Sequence, residues 1–187
     1  MASQPFDVKM TDPVKSKPVF PTPSQTDPVS SKPVFPTSSQ ANPDRSKPVF
    51  PTSSQPLPYH AIIWGGFVPS KLIKVSGTVS PCAHRFHINL KTGLDIAFHL
   101  NPRFDQNAIV RNSYLNLCWG PEERHLPCGM PLRRGQPFTI CIQCEAHCFK
   151  VTVNGCHQFD YNHRICNLFF INVLEVDGDI TLTDIQI

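Results

Sequence analysis

The chain is short of several features that would assign it quickly to a class. Residues Met1 to Met10 hold no apolar run of the kind a secretory signal needs, so no secretory leader is expected. No stretch of 18 apolar residues occurs, so membrane insertion is not expected either. There is no Asn-x-Ser/Thr glycosylation site. Charge of one sign is also scarce. The net charge of +3 divides into +2 over residues 1–58 and +1 over 59–187, with no basic stripe, and nucleic-acid binding is excluded on that ground. No useful length of sequence repeats its apolar residues at the helical period of 3.6. Nor is there a pair of well-placed carboxylates or a Ser-His-Asp or Cys-His pattern, so no catalytic site is expected.

What is plentiful is proline, and it is unevenly spread. Thirteen of the twenty prolines precede Tyr59. The same segment repeats with a period of 15 residues: Ser16-Lys17-Pro18-Val19-Phe20-Pro21-Thr22 returns at Ser31–Thr37 and Ser46–Thr52. Each copy offers one Val and one Phe as its large apolar groups. That is too little to offset a backbone ordering cost of about 1–2 kcal/mol per residue. Residues 1–58 are therefore expected to form a disordered, proline-rich tail with local polyproline II character. Its three phenylalanines, Phe20, Phe35 and Phe50, suit either weak multivalent self-association or a plain spacer.

From Tyr59 onward the texture changes. Short alternating runs at Leu72–Val79, Arg85–Leu90, Leu94–Leu100, Phe138–Gln143, Phe149–Val153 and Ile180–Ile185 predict strands. Asn154-Gly155 predicts a two-residue hairpin turn, and Asp177-Gly178 another turn. One all-β domain over 59–187, an antiparallel sandwich or barrel, is the expectation.

Eight cysteines are present, at 82, 118, 128, 141, 144, 148, 156 and 166. Without a secretory signal they are expected as reduced thiols. Cys141 and Cys144 lie an odd number of positions apart, so a strand sends them to opposite faces. A second ligand pair at zinc spacing is lacking, and no metal or cofactor is expected.

One region gathers chemistry. In Ile96-Ala97-Phe98-His99-Leu100-Asn101-Pro102-Arg103, strand alternation sends Ile96, Phe98 and Leu100 to the core and His99, Asn101 and Arg103 to the other face. Pro102 cannot donate to a ladder, which predicts an edge or a strand end. Val110-Arg111-Asn112 puts Asn112 on one face with Val110. Trp119-Gly120-Pro121-Glu122-Glu123-Arg124 sets an indole beside a carboxylate and a guanidinium, with Glu122 and Arg124 in one parity. A planar aromatic among directional polar groups suits a sugar, which has one apolar C–H face and a rim of hydroxyls. Trp64, in Trp64-Gly65-Gly66, is expected to be structural.

These motifs resemble the galectin family: His99-x-Asn101-Pro102-Arg103, Val110-x-Asn112 and Trp119-x-x-Glu122-x-Arg124 match its signature in order and spacing. Arg85-Phe86-His87-Ile88-Asn89-Leu90 and Cys144-Glu145-Ala146-His147-Cys148 extend the likeness over 59–187, which leans toward the C-terminal domain of the galectin-9 type. The single domain behind a repeat tail is similar in plan to the chimera type. The resemblance implies a galectin-type (jelly-roll) β-sandwich of two sheets that binds β-galactosides. It implies that His99, Asn101 and Arg103 bond the axial O4 of galactose. Asn112 and Glu122 would hold O6, Trp119 would stack under the ring, and Glu122, Arg124 and Arg103 would reach the neighbouring sugar. It further implies glycoprotein partners, crosslinking by multivalency, and a cytoplasmic location with nuclear presence and non-classical export. The contrasting reading is an intracellular protein-interaction module on the same fold. The turn before Trp119, Tyr114-Leu115-Asn116-Leu117-Cys118, departs from the family pattern in being more apolar.

Overall fold

The computed structural model describes residues 53–187. The tail repeats and their expected disorder fall almost wholly outside the described residues. Eleven strands run through the described part, and its one helical element is a single 3-10 turn at Leu168–Phe170.

One sheet has six strands: β1 (Tyr59–Ile62), β10 (Val173–Gly178), β3 (Phe86–Thr92), β4 (Asp95–Arg103), β5 (Ala108–Leu115) and β6 (Cys118–Trp119), in that order. The other has five: β11 (Ile180–Gln186), β2 (Leu72–Val79), β7 (Pro137–Cys144), β8 (Cys148–Val153) and β9 (Cys156–Asn162). Every strand pairing is antiparallel. The inward faces of both sheets contribute to one buried cluster, in which Phe67, Phe98, Phe149 and Tyr161 make a chain of ring contacts. Phe98 and Tyr161 lie 4.7 Å apart between ring centroids, joining β4 of one sheet to β9 of the other.

Alternation explains most of this. In β2 every second residue is buried, from Ile73 through Val79, and the strand coincides with the predicted run. β8 and β9 join at Asn154-Gly155, with φ of 51° and 80°, the left-handed pair a two-residue hairpin requires. Asp177-Gly178 does not close a hairpin. It carries the chain from β10 in one sheet to β11 in the other.

Two expectations fail locally. Ile96 does not join the core, because β4 carries an irregularity: Leu90 pairs with Phe98, but the next pair is Lys91 with Ile96. Ala97 is the extra residue, and it reverses the parity beyond it. Ala97 is buried instead, and its carbonyl accepts from Ser113 Oγ at 2.7 Å. Second, Trp64 is 80% exposed and fills no structural pocket. Of the two places expected for Pro102, the structure takes the strand end, because β4 is an interior strand. Of the cysteines, Cys144 is buried, whereas Cys148 is only partly so.

Candidate functional site

The outer face of the six-stranded sheet holds a groove of about 710 Å³. Six of the seven residues singled out in the sequence converge there: His99, Asn101 and Arg103 from β4, Asn112 from β5, Trp119 from β6, and Glu122 just beyond it. Arg124 stands beside them through Glu122.

The register makes this convergence. His99 pairs with Asn112, and Asn101 pairs with Val110, so alternate residues of β4 and β5 share the outer face. Pro102 then has a local consequence. Phe104 N–H donates to the His84 carbonyl, and antiparallel alternation makes Phe86/Pro102 the next hydrogen-bonded pair. Proline has no N–H to offer there. The Asn101 side chain supplies the missing donor, with Nδ2 2.6 Å from the Phe86 carbonyl. Its Oδ1 accepts from Arg103 Nε at 2.7 Å. Asn101 is thus locked and 4% exposed, with one N–H left unused.

Asn112 is held as tightly. Its Oδ1 accepts from Ser113 N–H at 2.8 Å and from Arg164 Nη1 at 2.9 Å, and its Nδ2 donates to the Gly120 carbonyl at 2.8 Å. It too retains one N–H. Arg164 is a residue the sequence reading did not single out. It lies on the connection after β9 and also donates to the Pro121 carbonyl at 2.9 Å and Glu123 Oε1 at 2.8 Å. Its guanidinium lies 4.9 Å from the Tyr161 ring centre. A single cation therefore braces both Asn112 and the segment that follows Trp119.

Trp119 is carried by a tight hairpin. Leu115 pairs with Cys118 across Asn116-Leu117, whose φ values of 51° and 64° are both left-handed. The indole is 52% exposed, with Tyr114 at 5.2 Å and His99 at 4.9 Å between centroids, so a broad ring face is open to the groove.

Charge is arranged around Glu122. Arg124 donates to its Oε2 through Nε at 2.8 Å and Nη2 at 2.5 Å, and Arg103 Nη2 reaches Oε1 at 3.2 Å. The Arg124 bond, with Arg103 adding to it, holds Glu122 below the usual carboxylate range. Glu122 is therefore an acceptor at neutral pH. His99 is pushed the other way from charge. Burial first, then the neighbouring His87 and Arg103, lower it to about 4, so its ring is neutral. Its Nδ1 is 2.6 Å from Asn89 Oδ1.

Arg85, His87, Asp177 and Asp179 carry the groove on toward the ends of β3 and β10. Cys144 takes no part. Its Sγ faces the Phe67 carbonyl in the core, and burial raises the thiol to about 11.

A family model described as galactoside-binding lectin matches residues 58–187. Galectin-3 of Cricetulus longicaudatus is 47% identical over 130 residues, spanning 68% of this chain and 52% of the relative. Galectin-4 of Bos taurus is 40% identical over 134 residues, spanning 71% of this chain and 40% of the relative. The chain thus aligns with only about half the length, or less, of these curated relatives. Among solved structures, the Caenorhabditis elegans galectin LEC-6 superposes with a TM-score of 0.65 at 26% identity. That match covers 72% of this chain and 94% of the other. Sheep galectin-11, solved with glycerol, gives a TM-score of 0.63 at 25% identity over 71% and 98% of the two chains.

Proposed function

The chain belongs to the galactoside-binding lectin family, and from that premise we propose that it binds β-galactosides of the lactose and N-acetyllactosamine type. The observation that carries the proposal is the unused hydrogen-bonding capacity beside the exposed indole. A sugar hydroxyl accepts two hydrogen bonds and donates one. Asn101 has one free N–H and Arg103 Nη1 makes no bond among the described residues, while neutral His99 can take the hydroxyl proton on Nε2. An axial O4 suits that set, with the apolar face of galactose against Trp119. Asn112 and Glu122 then hold O6, and Glu122, Arg103 and Arg124 serve the next residue.

Binding, not bond cleavage, fits the charge state. The groove's central carboxylate is kept ionised by two arginines, so it does not supply a proton to a leaving group. An interaction module with an idle sugar face is the less favoured reading, because such a face has no need of buried amides with free N–H groups aimed outward.

A disaccharide of some two dozen heavy atoms gains about 5–7 kcal/mol at most, which places the affinity between micromolar and near-millimolar. A site that weak works through valency. The proposal therefore includes a lectin domain over 59–187 carried on a 1–58 tail, self-association, and crosslinking of glycoconjugates. The cellular side of the proposal is cytoplasmic residence with nuclear presence and non-classical export.

The test is a lactose titration followed by Trp fluorescence on the reduced full chain, with cellobiose as the equatorial-O4 control. Saturable lactose binding with at least tenfold weaker cellobiose binding is expected. Trp119→Leu is expected to weaken lactose at least tenfold. Absence of a saturable lactose response in folded protein refutes the function, and wild-type affinity in the Trp119 variant refutes the stacking role.

A further inference from the structure

Beside the groove lies a polar chain that reaches it only at His87 and His99. On β3, Asn89 is 4% exposed and sits between two groups. Its Nδ2 is 2.6 Å from Glu175 Oε1 on β10, and its Oδ1 is 2.6 Å from His99 Nδ1 on β4. Glu175 is in turn surrounded by donors. Lys91 Nζ lies 2.9 Å and His60 Nε2 3.1 Å from Oε2, and His87 Nε2 is 3.4 Å from Oε1. The register explains the alignment, since Asn89 pairs with both Glu175 and His99 on neighbouring strands.

We propose that Glu175 and Asn89 are positioning residues of the sugar site: the Glu175 carboxylate fixes which way the Asn89 amide faces, and Asn89 thereby fixes His99 as the Nδ1–H tautomer, which presents a bare Nε2 to the groove. The logic rests on donor and acceptor counts. An ionised carboxylate only accepts, so the amide must turn its NH2 toward Glu175. The carbonyl oxygen is then left facing His99, and it too only accepts. Nδ1 must therefore carry the proton, and in a neutral ring Nε2 must not. Which end of an amide is oxygen follows here from its neighbours and needs no assumption about hydrogen positions. Glu175 remains ionised at neutral pH. Burial pushes its carboxyl up, but hydrogen bonds from Lys91, Asn89 and His60 outweigh that and hold it at about 2.

The consequence concerns the sugar. Asn101 and Arg103 are donors only toward the groove, so a hydroxyl that accepts from both needs an acceptor for its own proton. His99 in the other tautomer would bring a third donor to that point. Tautomer choice therefore decides whether the three groups act together or collide, and it is made two strands away, at Glu175. This inference rests on the sugar-site reading above, but its first readout does not.

The experiment uses the full chain labelled with 15N-histidine. Long-range 1H–15N correlation spectra at neutral pH, without sugar, report the protonated nitrogen of each ring. The expected wild-type result is a protonated Nδ1 and a bare Nε2 for His99. In Glu175→Gln the amide of residue 89 is released to turn over, so His99 shows a mixture of tautomers. The lactose Kd rises about fivefold or more, as a competent fraction near one-fifth requires. Adding Asn89→Asp to Glu175→Gln places a carboxylate directly on Nδ1, which restores both the single tautomer and the affinity. A merely structural role for Glu175 gives no such rescue. Asn89→Leu, which removes the acceptor but leaves Glu175 with Lys91 and His60, reaches the mixed-tautomer result by a second route. A folded Glu175→Gln or Asn89→Leu protein whose His99 keeps Nδ1–H alone overturns the proposal. So does a double variant that fails to regain the tautomer. If wild-type His99 shows the expected tautomer but lactose does not bind, the sugar-site reading has failed while the positioning chain stands.

Discussion

Removing Arg164 tests whether the groove depends on a residue that never faces it. The guanidinium makes three hydrogen bonds of 2.8–2.9 Å and packs near the Tyr161 ring. These are not equal. Glu123 is 41% exposed at its side chain and rehydrates when Arg164 is lost, so that pair contributes under about 1 kcal/mol. The Pro121 carbonyl also has access to water. The bond to Asn112 is the costly one to lose, because Asn112 is 3% exposed, and charge-assisted hydrogen bonds contribute about 1.5–3 kcal/mol. Asn112 Oδ1 keeps the Ser113 N–H, which limits the damage. Arg164→Ala should therefore destabilise the domain by about 2–3 kcal/mol, or roughly 10 °C in Tm. Sugar affinity should fall further than global stability explains, since the Asn112 amide and the Trp119-Gly120-Pro121 segment both lose their tether. A loss of about 1.4–2 kcal/mol, some ten- to thirtyfold in lactose Kd, is expected. Arg164→Lys should resemble the alanine variant more than wild type, because an ammonium cannot span three separated acceptors as a planar fork does. Urea unfolding gives the first quantity and Trp-fluorescence titration of the folded variant gives the second. A folded Arg164→Ala protein with lactose affinity within twofold of wild type refutes the bracing argument.

Three further outcomes follow from single features. Gly120→Ala would set a Cβ 2.7 Å from Arg164 Nη1 and 3.2 Å from Asn112 Oδ1, so the pinned guanidinium must move. The variant should lose about 1.5–3 kcal/mol in urea unfolding and about tenfold in lactose affinity, and unchanged values in both would contradict the close approach. Leu117 holds φ at 64° in the Trp119 hairpin, and its side chain is 71% exposed, so Leu117→Gly should relieve strain without loss of packing and stabilise by about 0.5–1 kcal/mol; a lowered Tm would count against strain at this turn. His99 has an ordinary value of 6.5 and a folded value of about 4, so between those pH values the unfolded chain binds a proton that the folded chain lacks. Stability from this group is therefore full above pH 6.5 and falls as pH drops toward 4, by up to about 3 kcal/mol. Urea midpoints at pH 7 and 4.5, compared with His99→Gln, isolate that slope, and parallel curves for the two proteins would sink the assignment.

The sequence disclosed most where one residue type could satisfy the geometry. Asn154-Gly155 announced its hairpin because both positions need positive φ, and β2 was legible because it alternates without a break. The turn before Trp119 was read as a turn, but its tight left-handed form at Asn116-Leu117 was not, because no turn signal marks a left-handed Leu. The faces of β4 were correctly assigned from Phe98 onward and incorrectly at Ile96, because the irregularity at Ala97 is fixed by neighbouring strands and by the Ser113 hydroxyl. Parity rules cannot see a partner's hydroxyl. The seven motif residues could be read as a group because they lie within 26 positions of one another, from His99 to Arg124. Arg164 and Glu175 lie 40 and 51 positions past Arg124, and neither touches the groove. Only strand order and a loop crossing from the other sheet bring them to Asn112 and Asn89. The expected tail ends too late at residue 58, because Gln55 N–H donates to the Leu182 carbonyl and Leu57 packs on the core; the earlier residues lie outside the described ones.

The selectivity of such a face follows from how little freedom its groups retain. Asn101 is tied by two hydrogen bonds and Asn112 by three, each keeps one N–H, and His99 keeps one lone pair. None can swing to meet a hydroxyl elsewhere without breaking an internal bond. In the proposed binding mode, an equatorial O4 therefore does not merely forgo a contact. It leaves a buried amide N–H and an imidazole nitrogen facing a ring that excludes water from them, at about 1–3 kcal/mol for each unpaired group. Two such groups suffice for more than a tenfold preference between epimers of one size and polarity. The same fixity limits affinity, because a face that does not adapt gains nothing from poorly placed hydroxyls. Strong discrimination and weak binding are then one property of the site, and the internal hydrogen bonds that hold its amides in place produce both.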